Sequence, residues 1–89
     1  MTSREVTVRN ELGMHLRSAG TFVRTAGRFA SQIRVGTRGG PPVDGKSILG
    51  LATLGAPCGT VLVVSAEGTD EVEAVQTLVR LVDEGFGEL

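Results

Sequence analysis

The chain has 89 residues and a formal net charge of −1, from 9 Lys+Arg against 10 Asp+Glu. That length suits one small domain, 1–89, with no room for a large lidded cleft. The charge balance, the absence of Trp and Tyr and the three Phe exclude nucleic-acid binding through a basic face or base stacking.

Residues 5–9 alternate polar and apolar side chains, which predicts a half-buried strand, and 10–13 read as a turn. From Leu16 the period becomes helical. Leu16, Ala19, Val23, Ala26 and Ala30 share a stripe with Phe22 and Phe29 beside it. Arg17, Ser18, Thr21, Arg24, Thr25 and Arg28 fall on the other side. This helix is expected over about 16–28, weakened by Gly20 and Gly27. Residues 32–37 alternate again, 38–42 form a turn, and Val43-Asp44 is a short edge strand behind Pro42.

Residues 47–54 suit a short helix capped by Ser47. Cys58, in the loop that follows, reads as a small buried apolar residue, since a lone cysteine cannot form an internal disulfide. One Cys and one His also fall short of a structural zinc site, so no metal is expected. Residues 60–66 are mostly apolar and rich in β-branched side chains, as in a central strand. Asp70 and Glu73 resemble a capping box for a last helix that buries Val72, Val75, Leu78, Val79 and Val82 and ends at Gly85. The order βαββαβα predicts an α+β fold, one antiparallel sheet with three helices on one face. No apolar run reaches the ~20 residues of a membrane helix, and the start lacks a signal-peptide core, so a cytoplasmic protein without membrane insertion is expected.

His15 is the only histidine and sits where a loop enters the first helix. The unbonded N–H groups of a first helical turn form a ready anion site. A neutral imidazole has one nitrogen free to act as a nucleophile. If it took a phosphoryl group, the backbone of Leu16, Arg17 and Ser18 would cradle the oxygens, and the Arg17 guanidinium would add charge-assisted hydrogen bonds. The plainer reading is a surface histidine beside an arginine, and spacing alone does not separate the two.

Asn10, Gly13, Met14, His15, Arg17 and Ala19 match the pattern N-x-x-G-[LIM]-H-x-R-P-A. Residues 44–51, DGKSILGL, are similar to N-G-K-S-[IL]-[ML]-G-[LI], and 67–74, EGTDEVEA, to G-x-D-E-x-x-A. With these three motifs in order the chain resembles the HPr family, phosphocarriers of the bacterial phosphoenolpyruvate-dependent sugar phosphotransferase system. The resemblance implies an open-faced β-sandwich with strand order 1-4-2-3. It implies a carrier that is not itself an enzyme, phosphorylated by enzyme I on Nδ1 of the residue matching His15, steadied by Arg17, and emptied onto a IIA-type acceptor. No organic cofactor is implied, and a monomer is expected.

The resemblance also implies a docking face on the first two helices, with Leu16, Gly20, Ile48, Leu49, Leu51 and Leu54 as its candidates. Ile48, Leu51 and Arg17 lead them. Ser47 matches a serine that an HPr serine kinase/phosphorylase modifies in some bacteria; the plainer reading is a helix cap. Three departures stand out. Ser18 replaces the usual proline, Leu16 replaces a common Ala or Thr, and the 38–42 turn is about one residue longer. They keep two alternatives open: a regulatory paralogue in a nitrogen or signalling branch, and a binding module without phosphotransfer.

Overall fold

The computed structural model describes residues 1–88. The elements are β1 (Thr2–Thr7), α1 (Leu16–Ala26), β2 (Gln32–Thr37), β3 (Val43–Asp44), α2 (Ile48–Leu54), β4 (Val61–Glu67) and α3 (Glu71–Asp83), followed by a 3-10 turn at Gly85–Gly87. Type and order agree with the sequence reading, and the strands pair antiparallel in the order β1-β4-β2-β3.

The boundaries move where backbone pairing outweighs side-chain pattern. β1 starts at Thr2, before any alternation, because Thr2 pairs with Ala66 and Ser3 with Ser65. α1 stops at Ala26, two residues early, where Gly27 caps it.

Period-two alternation puts Val6, Ile33, Val35, Leu62, Val64 and Ala66 on the covered face of the sheet. Against them α1 buries Ala19, Phe22 and Ala26, and α3 buries Ala74, Val75, Leu78 and Val82. Two stripes sit differently from expectation. In α1 the bulky Phe22 centres the buried face, so Ser18, one turn earlier, is buried while Leu16 and Ala30 are exposed. In α3 the small Ala74 belongs to the stripe and Val72 lies outside it, exposed on the first turn.

The start of α3 is also held differently from the capping box expected of Asp70 and Glu73. The Asp70 side chain makes no cap bond to its own helix. Its carboxylate accepts the Ala30 and Ser31 amides, at 2.8 and 2.9 Å, and the Ser31 hydroxyl. The Ser31 hydroxyl, followed by these amides, holds the Asp70 carboxyl below its usual range. Glu71 takes over the local role, accepting from the Thr2 hydroxyl at 2.7 Å, the Met1 amino group at 3.0 Å and the Gly68 amide at 3.2 Å. Led by the Thr2 hydroxyl, these donors lower its pKa from 4.5 to about 2. Cys58, expected to be buried, is exposed: Thr60 N–H closes a turn onto the Pro57 carbonyl, which leaves Cys58 on the outer corner.

Candidate functional site

The loop that delivers His15 is pinned from behind. Gly13 has φ +71° and donates its N–H to the Asn10 carbonyl at 3.0 Å. A Cβ at Gly13 would lie 2.4 Å from the Ala56 carbonyl oxygen, so the close approach needs glycine as much as the turn does. Met14 donates its N–H to that carbonyl at 2.7 Å and buries its side chain. His15 is therefore held as the N-cap of α1 in extended geometry, φ −119°.

The ring has a different partner at each nitrogen. Nδ1 accepts the Arg17 N–H at 3.2 Å. Nε2 lies 3.1 and 3.3 Å from the two carboxylate oxygens of Glu88. A backbone N–H only donates and a carboxylate only accepts, so in the neutral ring the proton sits on Nε2 and the lone pair on Nδ1. The side chain is 29% exposed, which leaves the ring within reach of a partner protein.

Ser18 holds the first turn in place of a proline. Its hydroxyl oxygen accepts the His15 N–H at 2.9 Å and donates to the Gly13 or His15 carbonyl, each at 3.1 Å. Arg17 is exposed, and among the described residues its guanidinium has no hydrogen bond or ion pair. No acidic residue lies in the first turn of α1. The helix start and the Arg17 N–H thus lie beside Nδ1, and an exposed guanidinium is carried on the same turn. Electrostatically this suits an incoming anion.

Sequence reasoning missed Glu88 and the work of Asn10. The buried Asn10 donates through Nδ2 to the Gly13 carbonyl at 2.7 Å and to Glu88 Oε1 at 3.0 Å. Its place in the first motif hinted at importance, but nothing in the sequence ties Glu88 to a histidine 73 positions earlier.

The docking candidates divide. Leu16, Ile48 and Leu49 are exposed, Leu16 by 66% and Leu49 by 76%. Gly20 and Leu54 are half-buried, and Leu54 packs on the core. Leu51, a leading candidate, is fully buried: α2 packs against α1, β2 and β3, and Leu51 is the side chain it turns inward. Leu12, which sequence reasoning passed over, is exposed on the His15 loop. Ser47 caps α2, accepting the Gly50 N–H at 3.0 Å.

A histidine that caps a helix start through its lone pair, on an open-faced βαββαβα sandwich, is the arrangement of a small phosphocarrier. The family model described as "PTS HPr component phosphorylation site" matches residues 2–84. The phosphocarrier protein HPr of Pseudomonas aeruginosa is 44% identical over 88 residues, 99% of this chain and 98% of that protein. The crystal structure of HPr-C-His from Thermoanaerobacter tengcongensis superimposes with a TM-score of 0.92 at 43% identity, covering 100% of this chain and 99% of the other. A crystal structure of an HPr dimer from the same organism gives 0.76 at 43% identity, covering 99% and 100%. The chain belongs to the HPr family of the phosphotransferase system, whose members are phosphocarriers and not enzymes in their own right.

Proposed function

We propose that this chain accepts a phosphoryl group on His15 Nδ1 from phosphorylated enzyme I and passes it to a IIA-type protein, as a cytoplasmic monomer. The observation that carries the reading is the Nδ1 lone pair held at the Arg17 amide of a helix start. Released from the Arg17 N–H, the lone pair attacks phosphorus, and the bond from phosphorus to the donor breaks with its electrons returning to the donor. Once Nδ1 is bonded, the Arg17 N–H is free to turn to a phosphoryl oxygen, joined by the first-turn amides of Leu16 and Ser18 and the Arg17 guanidinium. A partly exposed ring suits a group that must be given up again.

Leu16, Ile48 and Leu49 are the apolar contacts proposed for both partners, with Gly20 giving close approach on α1 and Leu54 supporting from the core side. Ser47 is the proposed target of a serine kinase. A phosphate there adds about −2 charge beside Ile48 and Leu49 and opposes acidic partners.

Incubation with enzyme I and phosphoenolpyruvate should give an acid-labile, base-stable phosphate on the wild-type chain and none on His15→Ala. Wild-type protein that stays unlabelled with active enzyme I would refute the carrier role.

A further inference from the structure

The last turn of the chain is built in an unusual way. Gly85, Phe86 and Gly87 have φ of +67°, +57° and +80° in succession. Glycine holds such angles freely, whereas phenylalanine rarely does. Phe86 is nonetheless kept there with its ring buried in the core. The turn brings Glu88 back to His15, where Asn10 holds one carboxylate oxygen at 3.0 Å and Nε2 lies 3.1 Å from the other. Asn10 is in turn fixed by the Gly13 carbonyl of the loop that carries the histidine. Both side chains stay partly open, 29% for His15 and 24% for Glu88, so the contact is a support behind the ring that leaves it accessible.

We infer that Glu88 is a positioning residue for phosphoryl transfer: its carboxylate keeps the proton on Nε2, aims Nδ1 at the donor and balances the charge that the ring gains. This rests on the carrier reading above. As the Nδ1 pair becomes the bond to phosphorus, the donor's bond breaks with its own pair and the Nε2 proton stays in place. The ring therefore turns cationic while it holds the phosphoryl group. Glu88 faces that charge from the side opposite the entering phosphorus, as a carboxylate does behind other working histidines.

The test uses the full chain with 15N-labelled histidine. In the unphosphorylated wild type, the His15 Nε2–H should give a proton resonance protected from exchange with water. Glu88→Gln keeps an acceptor oxygen and should keep that signal, whereas Glu88→Ala should lose it. At saturating enzyme I, Glu88→Ala should take phosphate about tenfold more slowly, the low end of the cost known where a carboxylate orients a metal-bound histidine. Its KM should hold, and Glu88→Gln should recover part of the rate.

Gly87→Ala keeps the carboxylate but disfavours the turn, with no steric clash. It should fall between Glu88→Ala and wild type. A Glu88→Ala variant with the protected signal and the wild-type rate would overturn the assignment and leave the carrier role intact. A wild type that takes no phosphate would remove the carrier role, while the resonance would still decide whether Glu88 holds the ring.

Discussion

Replacing Ser18 with alanine removes one oxygen from a buried position and tests how the first turn of α1 is held. The hydroxyl makes one accepted bond, from the His15 N–H at 2.9 Å, and one donated bond, to a carbonyl at 3.1 Å. Both of its possible acceptors stay partnered without it. The Gly13 carbonyl keeps Asn10 Nδ2 at 2.7 Å, and the His15 carbonyl keeps the Ala19 N–H at 2.8 Å. The His15 N–H, among the described residues, has no second acceptor. The variant therefore orphans one partly buried donor, which costs about 1–2 kcal/mol. Alanine returns roughly 0.5 kcal/mol in helix propensity.

The net is about 1 kcal/mol of destabilisation, or a Tm lower by about 4–8 °C in a domain of this size. Thermal and urea unfolding followed by circular dichroism would measure it, with an unchanged m-value expected because no surface is newly exposed. Ser18→Pro, which restores the usual family residue, leaves the same orphan but recovers about 0.4–1 kcal/mol by stiffening the unfolded chain. It should fall between the alanine variant and the wild type. An alanine variant as stable as the wild type would show that the Ser18 hydroxyl does not hold this turn.

Arg17→Ala should slow phosphoryl transfer in the enzyme I assay while changing stability by less than about 0.5 kcal/mol, because the side chain is exposed and unpartnered among the described residues; transfer at the wild-type rate would contradict its role. Acid should weaken the fold through Asp70 and Glu71. Both carboxyls titrate lower in the folded chain than in the unfolded one, so their contribution is complete above the ordinary carboxylate range and disappears as pH falls. For Glu71 the window runs from 4.5 down to about 2. Urea midpoints measured between these limits should fall with pH, less steeply in Glu71→Gln; equal slopes in the two proteins would rule out Glu71 as a source.

The element order was readable because each pattern has its own period. Alternation in 32–37 and the apolar run in 60–66 mark strands that the sheet pairs side by side. The same reading misjudged faces where a residue's size, not its polarity, set the direction of the helix. Phe22 draws Ser18 inside, and Leu51 fills the inner side of a two-turn helix that has only one. Asp70 failed as a cap for another reason. Its carboxylate has a longer-range use, on the amides of Ala30 and Ser31, and spacing along one helix does not reveal a partner 40 residues away.

The site divides along the same line. His15, Arg17 and Ser18 are neighbours in sequence, so a helix start was enough to bring them together. Glu88 arrives only because three consecutive left-handed residues reverse the chain after α3, and a phenylalanine in the middle of them is a poor sequence signal for such a turn. What keeps Phe86 there is tertiary burial, which offsets a backbone angle that its own preferences oppose. The nitrogen that attacks was thus legible locally. The group that fixes which nitrogen carries the proton depends on the closed core, so core variants that loosen Phe86 should disturb the His15 ring before they unfold the sheet.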